Sequence, residues 1–428
     1  ATLTATAAGY VSDTINVSLS VMGDLLITDD FSSDSGNWLG VNSTRNTANW
    51  QVSGGLFRQT VDSTGGATAN AAYAEGTYAY LTTQPSLQDF EFAVDIYPQA
   101  AGLNQRGEDV GIIFRHVDGN NFYRFAVNSK YGYTRLERRI GGSFSTMAVT
   151  AQGYRFGQVL RLGVRISGNV ILVYKDQGGA GSVLDNEPYL AAYDSALSQG
   201  SVALYTQSSA DFDNVIIRSV SGAPHIGLAA PAETTVSTST NVAVSAVVLD
   251  GNGSESVSFE IDGSTCSAVT NPQPGLFEST CDAVFAREAA IAAILSDPGE
   301  IDRDSSIATG AGGDILLALG NSVTNGTGDA YIPDNTSIPI VVNGLDTVSR
   351  QIAYRGYQAG LHDALTSDAT YTQPNIVFNE GVPGDRSDEL TFDRLPSILE
   401  RHPDANRALV MIGTNDAYQA ATASGLNC

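Results

Sequence analysis

From Phe90 to Gln207 the chain repeats one pattern. "FEFAVDIYP", "VGIIFRHV", "FYRFAVNS", "VLRLGVRIS", "VILVYKD" and "SVALYTQ" are short alternating runs separated by Gly, Asn, Asp and Ser turns. Alternation with a period of two sends successive side chains to opposite faces of an extended strand. Many such strands at short spacing, with no helical pattern between them, leave a sandwich or jelly roll as the architecture. The reading is nearly all β from Asp29 to about Gly222, so we expect one β-sandwich over residues 28–222.

Residues 1–27 open with "ATLTATAAGYVSDTINVSLSV", which alternates like the last strands of a sandwich. We expect them to be the tail of a preceding β-domain or a linker. The first residue is not Met and no signal peptide follows it. Either a mature terminus after processing or a segment of something longer would read this way; we favour the segment.

After Gly222 comes "SGAPHIGLAAPAETTVSTSTNVAVSAVVLDGNGSESVSFEIDG", a linker followed by strands with turns at "DGNGS" and "DGS". A second, smaller β unit over residues 223–310 is expected. Within it "AREAAIAAILSD" can pass for a short amphipathic helix by its Ala content; we read it instead as a late strand.

The three cysteines narrow the setting. Cys266 and Cys281 bracket two strand-like runs joined by a Pro/Gly turn, a geometry suited to a cross-strand disulfide, although two free buried thiols would also fit the sequence. The disulfide reading implies an oxidising, extracellular compartment and roughly 3 kcal/mol from closing the loop. Cys428, the last residue, is then left over, and we expect its partner outside this segment.

The formal charge is −24, and 20 Arg stand with only two Lys, Lys130 and Lys175. That balance argues against nucleic acid and anionic membrane surfaces, which need a basic face. No apolar run approaches the roughly 18 residues of a membrane helix.

Near Gly312 the pattern changes. "DILLALG" and "NIVFNEG" are continuous apolar runs of the kind buried on both faces of a parallel sheet, and "RALVMIGTND" supplies a third strand. Between them "DTVSRQIAYRGYQAGLHDALTSD" has helical spacing, with Asp346 as N-cap and Ile352, Tyr357, Leu361 and Leu365 on one stripe. "SDELTFDRLPSILERHP" predicts a helix with a Ser or Asp cap and a kink at Pro396. Strand, helix, strand, helix, strand over residues 311–428 is the beginning of a doubly wound α/β fold.

All three strands run into polar, glycine-bearing loops: "GNSVTNG", "NEGVPGDRS" and "GTNDAYQ". The carboxyl ends of parallel strands line the ligand crevice of such sheets, so Ser322, Gly384 and Asn415 are placed to converge. A serine attacking an ester carbonyl creates an oxyanion that needs donors aimed at it beforehand. Gly384 can bring its N–H close for want of a Cβ, and Asn415 offers an amide on a short side chain.

These loops resemble three blocks of the SGNH (GDSL) hydrolase family. "LALGNSVTNG" is similar to its nucleophile block, "NEGVPGDRSDEL" to its glycine block and "LVMIGTND" to its Gly-x-Asn-Asp block. The resemblance implies Ser322 as nucleophile, with the Ser322 N–H, the Gly384 N–H and the Asn415 amide as oxyanion donors, and no catalytic cofactor. Two departures stand out. Asn321 replaces the family's usual Asp, where an amide can still hold the serine turn. The family's late Asp-x-x-His block, which carries the general base, is not among residues 1–428; His116, His225, His362 and His402 all lack its context. The unit reads as the first part of a hydrolase domain, C-terminally truncated.

"DDFSSDSGNW", "GIIFRHVDGNNFYRF" and "ADFDNVIIR" occur in the order of the concanavalin/laminin-G-like lectin sandwiches, and the second unit resembles bacterial immunoglobulin-like spacers. In such lectin sandwiches the first and last strands often meet around a structural calcium. Asp30 and Asp213 would be its ligands here, or else plain solvent-facing aspartates. Trp38, Trp50 and several tyrosines could stack on sugar rings, although most aromatics of a sandwich lie in its core. The fold class is therefore multidomain: two all-β sandwiches, then an incomplete α/β doubly wound hydrolase unit. The function expected is that of a secreted serine esterase acting on an acylated polysaccharide. The alternative is a surface adhesin or filament protein, self-assembling, with a non-catalytic hydrolase-like domain.

Overall fold

The computed structural model describes residues 2–5, 13–16, 23–42, 47–61, 76–99, 109–128, 133–150, 153–154, 157–179, 181–220, 224–231, 236–237, 241–249 and 255–261. It continues over 263–282, 287–296, 300–308, 314–325, 340–342, 345–347, 357, 361, 364–365, 367–371, 375–382, 384–402 and 405–423. Cys428 and His362 lie outside these residues, as does most of the helix expected after Asp346.

The alternating runs form two packed antiparallel sheets. One has seven strands in the order Ser143–Thr150, Tyr133–Ile140, Asn121–Asn128, Asp109–Asp118, Ser201–Thr206, Thr77–Leu81, Trp38–Val41. The other has eight, with Phe90–Pro98 beside Ala210–Ser219 at its centre. Ala210–Ser219 also pairs with Leu25–Asp29, so the sandwich takes in Leu25, three residues before the expected boundary. Along Asn121–Asn128 the period-two rule is visible: Tyr123, Phe125 and Val127 enter the core between the sheets, while Phe122 and Ala126 join a second apolar cluster on the other face.

That other face is buried as well. Arg124 lies with its guanidinium 4.3 Å from the ring centre of Phe144 and 4.6 Å from that of Tyr205, and 2.7 Å from Glu137. Arg135 pairs with Glu137 at 3.0 Å, and the Tyr133 hydroxyl donates to Asp109 at 2.8 Å. A buried charge persists only where partners satisfy it, and each of these has several.

Residues 225–308 make the smaller two-sheet sandwich, and "AREAAIAAILSD" contributes the strand Arg287–Leu295. Its core gathers Val244, Val248, Phe259, Phe277 and Ile291. Cys266 and Cys281 are joined by a disulfide that borders this core. Leu172, Tyr174 and Leu184 of the first sandwich share one apolar cluster with Val247 and Leu249 of the second.

The third unit is a parallel sheet of three strands: β1 (Asp314–Gly320), β2 (Asn375–Gly381) and β3 (Arg407–Met411), in the spatial order 2-1-3. β1 is apolar and mostly buried because both edges are paired and Leu317 and Leu319 pack on Leu390 and Ile398. β3 departs from expectation: Leu409, Val410 and Met411 are 41%, 58% and 43% exposed, and among the described residues no strand covers its outer edge.

Short helices follow two of the strands, α1 (Ser322–Asn325) after β1 and α3 (Thr414–Ala423) after β3, with α2 (Leu395–Arg401) leading into β3. A π-helical turn, Glu389–Arg394, capped by the Asp388 carboxylate, runs into α2. The irregularity falls immediately before Pro396, which has no N–H to continue the ladder. Asp346, expected as an N-cap, lies instead in the short strand Leu345–Thr347 paired with Ile340–Val342; antiparallel pairing has overridden helix propensity there.

Candidate functional site

Register places the three polar loops together. Gly320, the last residue of β1, sits opposite Gly381 of β2 on one side and Met411 of β3 on the other. Adjacent strands are about 4.8 Å apart, so the loops carrying Ser322, Gly384 and Asn415 leave the sheet side by side. In the 2-1-3 order the chain reverses its winding direction at β1, and the crevice of an open α/β sheet opens at such a switch point.

The serine turn is built by its neighbours. Asn321 is buried, and its Oδ1 accepts the Val323 N–H at 3.1 Å, holding the start of α1 with Ser322 as its first residue. Gly320 is required by close approach: a Cβ there would lie 2.1 Å from Thr324 Oγ1 and 2.3 Å from the Met411 carbonyl. Gly384 is required for another reason, since its φ of +89° is costly for any residue with a Cβ.

The glycine loop is tied down at several points. Val382 N–H donates to the Gly320 carbonyl at 3.0 Å, folding the loop back over the end of β1. The Asn415 amide donates to the Asp385 carbonyl at 2.8 Å, one residue from Gly384. Asp416 accepts from the Ser387 N–H at 3.0 Å and from its hydroxyl. The hydrogen bond from the Ser387 side chain holds the Asp416 carboxyl below the usual carboxylate range. Val382 also packs on Tyr133 and Val149, so this loop touches the far face of the seven-stranded sheet.

Arg394 is the organising residue that sequence reasoning missed. Buried at 2% exposure, it donates to the Glu380 carbonyl at 2.8 Å, to the Gly320 carbonyl at 3.0 Å, and pairs through Nε with Asp385. One planar fork thus clamps the ends of β1 and β2 and the glycine loop. In the sequence it looks like an ordinary polar residue of an amphipathic helix.

The histidines are engaged elsewhere. His402 Nε2 is 3.0 Å from Glu380 Oε1, both side chains are buried, and the imidazole lies 4.2 Å from the Phe378 ring. His116 contacts the Tyr78 hydroxyl at 3.2 Å within the sandwich. His225 faces the junction of the two sandwiches. Among the described residues no histidine hydrogen-bonds Ser322.

In the first sandwich Asp30 and Asp213 come near each other. Burial raises the Asp213 carboxyl, and the charges of Asp95, Asp30 and Asp29 raise it further, so four carboxylates share this strand end. The Asp30 carboxyl is lowered by hydrogen bonds from Ser32. No group of three His, Cys, Asp or Glu among the described residues converges closely enough to hold a metal ion.

Trp38 and Trp50 are packing residues. Each indole N–H is spent internally, on Asp29 and on Thr77, and each ring packs against Phe57. No helix among the described residues is long and apolar enough to cross a membrane.

No family model and no curated protein sequence matches the chain. Among solved structures, the carbohydrate-binding module CBM66 from Bacillus subtilis is 21% identical, with a TM-score of 0.33, covering 43% of this chain and 96% of that one. The VIP36 exoplasmic/lumenal domain in its Ca2+/Man3GlcNAc-bound form is 15% identical, with a TM-score of 0.32 and coverage of 43% and 84%. Xylan β-1,4-xylosidase from Bacillus halodurans C-125 is 13% identical, with a TM-score of 0.31; the match covers 48% of this chain and 41% of that enzyme.

Proposed function

We propose that the chain belongs to a secreted serine esterase that removes acyl groups from a glycan, with the first sandwich holding the glycan and the α/β unit carrying Ser322, Gly384 and Asn415. The observation that carries this reading is the registration of Gly320 between Gly381 and Met411, which draws the three loops to one sheet end. In this reading the Ser322 hydroxyl attacks the acyl carbonyl. The Ser322 and Gly384 N–H groups and the free hydrogen of the Asn415 amide meet the charge that develops on its oxygen. The three loops follow one another along the chain in the order of the SGNH blocks they resemble.

The test is hydrolysis of p-nitrophenyl acetate by the full-length protein and by its Ser322→Ala variant. A loss of rate in the variant is expected, with Asn415→Ala slower by a factor of roughly 10² to 10³. Equal rates for Ser322→Ala and parent overturn the reading.

One observation favours a second reading, a glycan-binding surface protein without catalysis. The serine hydroxyl needs a base to become a nucleophile, and the buried His402–Glu380 pair is committed to the interior of the α/β unit. Glycan-array binding by a protein inert toward esters would select this alternative.

A further inference from the structure

Between the two sandwiches lies a cavity of about 450 Å³, walled by strands Phe90–Pro98, Leu160–Ser167 and Ala210–Ser219, by the turn at Ser182–Pro188, and by His225, Ile226, Glu300 and Ile301 of the second unit. That volume is within the range of about 300–1,000 Å³ typical of small-molecule sites, which favour domain junctions. Its polar wall is preset. Arg165, 8% exposed, donates from Nε to Glu91 at 2.8 Å and from Nη1 to the Tyr174 hydroxyl at 3.2 Å, and its Nη1 lies 3.4 Å from His225 Nδ1. His225 Nδ1 is 2.9 Å from Glu300, while its Nε2 is buried and has no hydrogen-bond partner. The lining also includes aliphatic side chains, Ile216, Ile226, Ile301 and Pro188.

We infer that this cavity is a binding site for a neutral carbohydrate of one or two rings. Fixed guanidinium, carboxylate and imidazole groups offer both donors and acceptors, and a sugar hydroxyl uses both. The aliphatic side chains meet the C–H face of a ring. Charge selects against acidic ligands: Glu91, Asp185, Glu187 and Glu300 outnumber Arg165 and Arg218. The inference names a site for the glycan-holding role proposed above and rests on that role, but not on catalysis.

The experiment is calorimetric titration of the 428-residue chain with maltose, cellobiose, xylobiose, mannobiose and, as the acidic control, digalacturonate. At least one neutral disaccharide is expected to bind and digalacturonate to bind more weakly. Ile216→Trp, which fills the cavity and removes no ion pair, is expected to weaken binding at least tenfold, as is Arg165→Met. Ser322→Ala is expected to leave it unchanged. Failure of all four neutral sugars overturns the site. So does tighter binding of digalacturonate. A sugar that binds but ignores Ile216→Trp overturns the site while leaving glycan binding elsewhere on the sandwich intact.

Discussion

Arg394 donates to the carbonyl of Gly320 across 3.0 Å from a position that solvent hardly reaches. The residue before the serine turn is therefore held from outside its own strand, by a side chain 74 residues away that also holds Glu380 and Asp385.

Arg394→Met removes one donor from the Gly320 carbonyl, which keeps the Val382 N–H, one from the Glu380 carbonyl, and the guanidinium partner of the Asp385 carboxylate. Losing one partner of a buried pair costs about 3–5 kcal/mol. Amide exchange measured by mass spectrometry is expected to lose protection by that amount across 314–320 and 375–381. Arg394→Lys keeps the charge but not the fork, and an intermediate loss is expected. Protection equal to the parent's would show that the clamp is dispensable.

Two glycines separate steric from conformational demands. In Gly384→Ala the new Cβ meets nothing within 4 Å, so the penalty is the left-handed backbone alone, roughly 1–2 kcal/mol. In Gly320→Ala the methyl runs into Thr324 and the Met411 carbonyl, an overpacking worth about 1–3 kcal/mol that displaces the serine turn. Exchange at residues 321–324 is expected to rise in Gly320→Ala and to stay unchanged in Gly384→Ala.

The loop anchor at Asp416 is acid-labile. Its carboxyl is lowered in the folded chain, so the contribution is complete above the unfolded value of 3.8 and is lost as pH falls through the folded one. Exchange of the 384–388 amides, corrected for intrinsic rate, is expected to quicken below about pH 4. Asp416→Asn should give the same quickening at pH 7. A profile flat from pH 6 to 3 would contradict the anchor.

The disulfide closes a loop of 15 residues in sequence separation, worth about 3 kcal/mol in the chain-entropy model. Replacing Cys266 and Cys281 by Ser is expected to reduce exchange protection in Asn241–Leu249 by that order. The two tryptophans, both in the first sandwich, should report its unfolding midpoint unchanged. A shift in tryptophan fluorescence instead would mean that the sandwiches unfold together.

What could be read from the chain follows what each pattern reports. Alternation in "FYRFAVNS" announces one buried face, and Tyr123, Phe125 and Val127 occupy it. It is silent on whether the opposite face is covered, so Arg124 and Glu137, which look solvent-facing, turn out to be wholly interior. The strand-end loops of the three-stranded parallel sheet were legible because glycine and polar residues interrupt apolar runs there. Their fastening was not, since nothing in "DRLPSILER" marks Arg394 as pointing inward. Trp38 and Trp50 illustrate the converse: an aromatic capable of stacking on a ligand packs against Phe57 instead.

The apolar cluster shared by Leu172 with Val247 and Leu249 changes what the second sandwich is for. Modules joined by polar contacts swivel, whereas a packed apolar seam resists rotation because every degree of swing would expose it to water. The pair should behave as one stiff arm of set reach and angle instead of two beads on a tether.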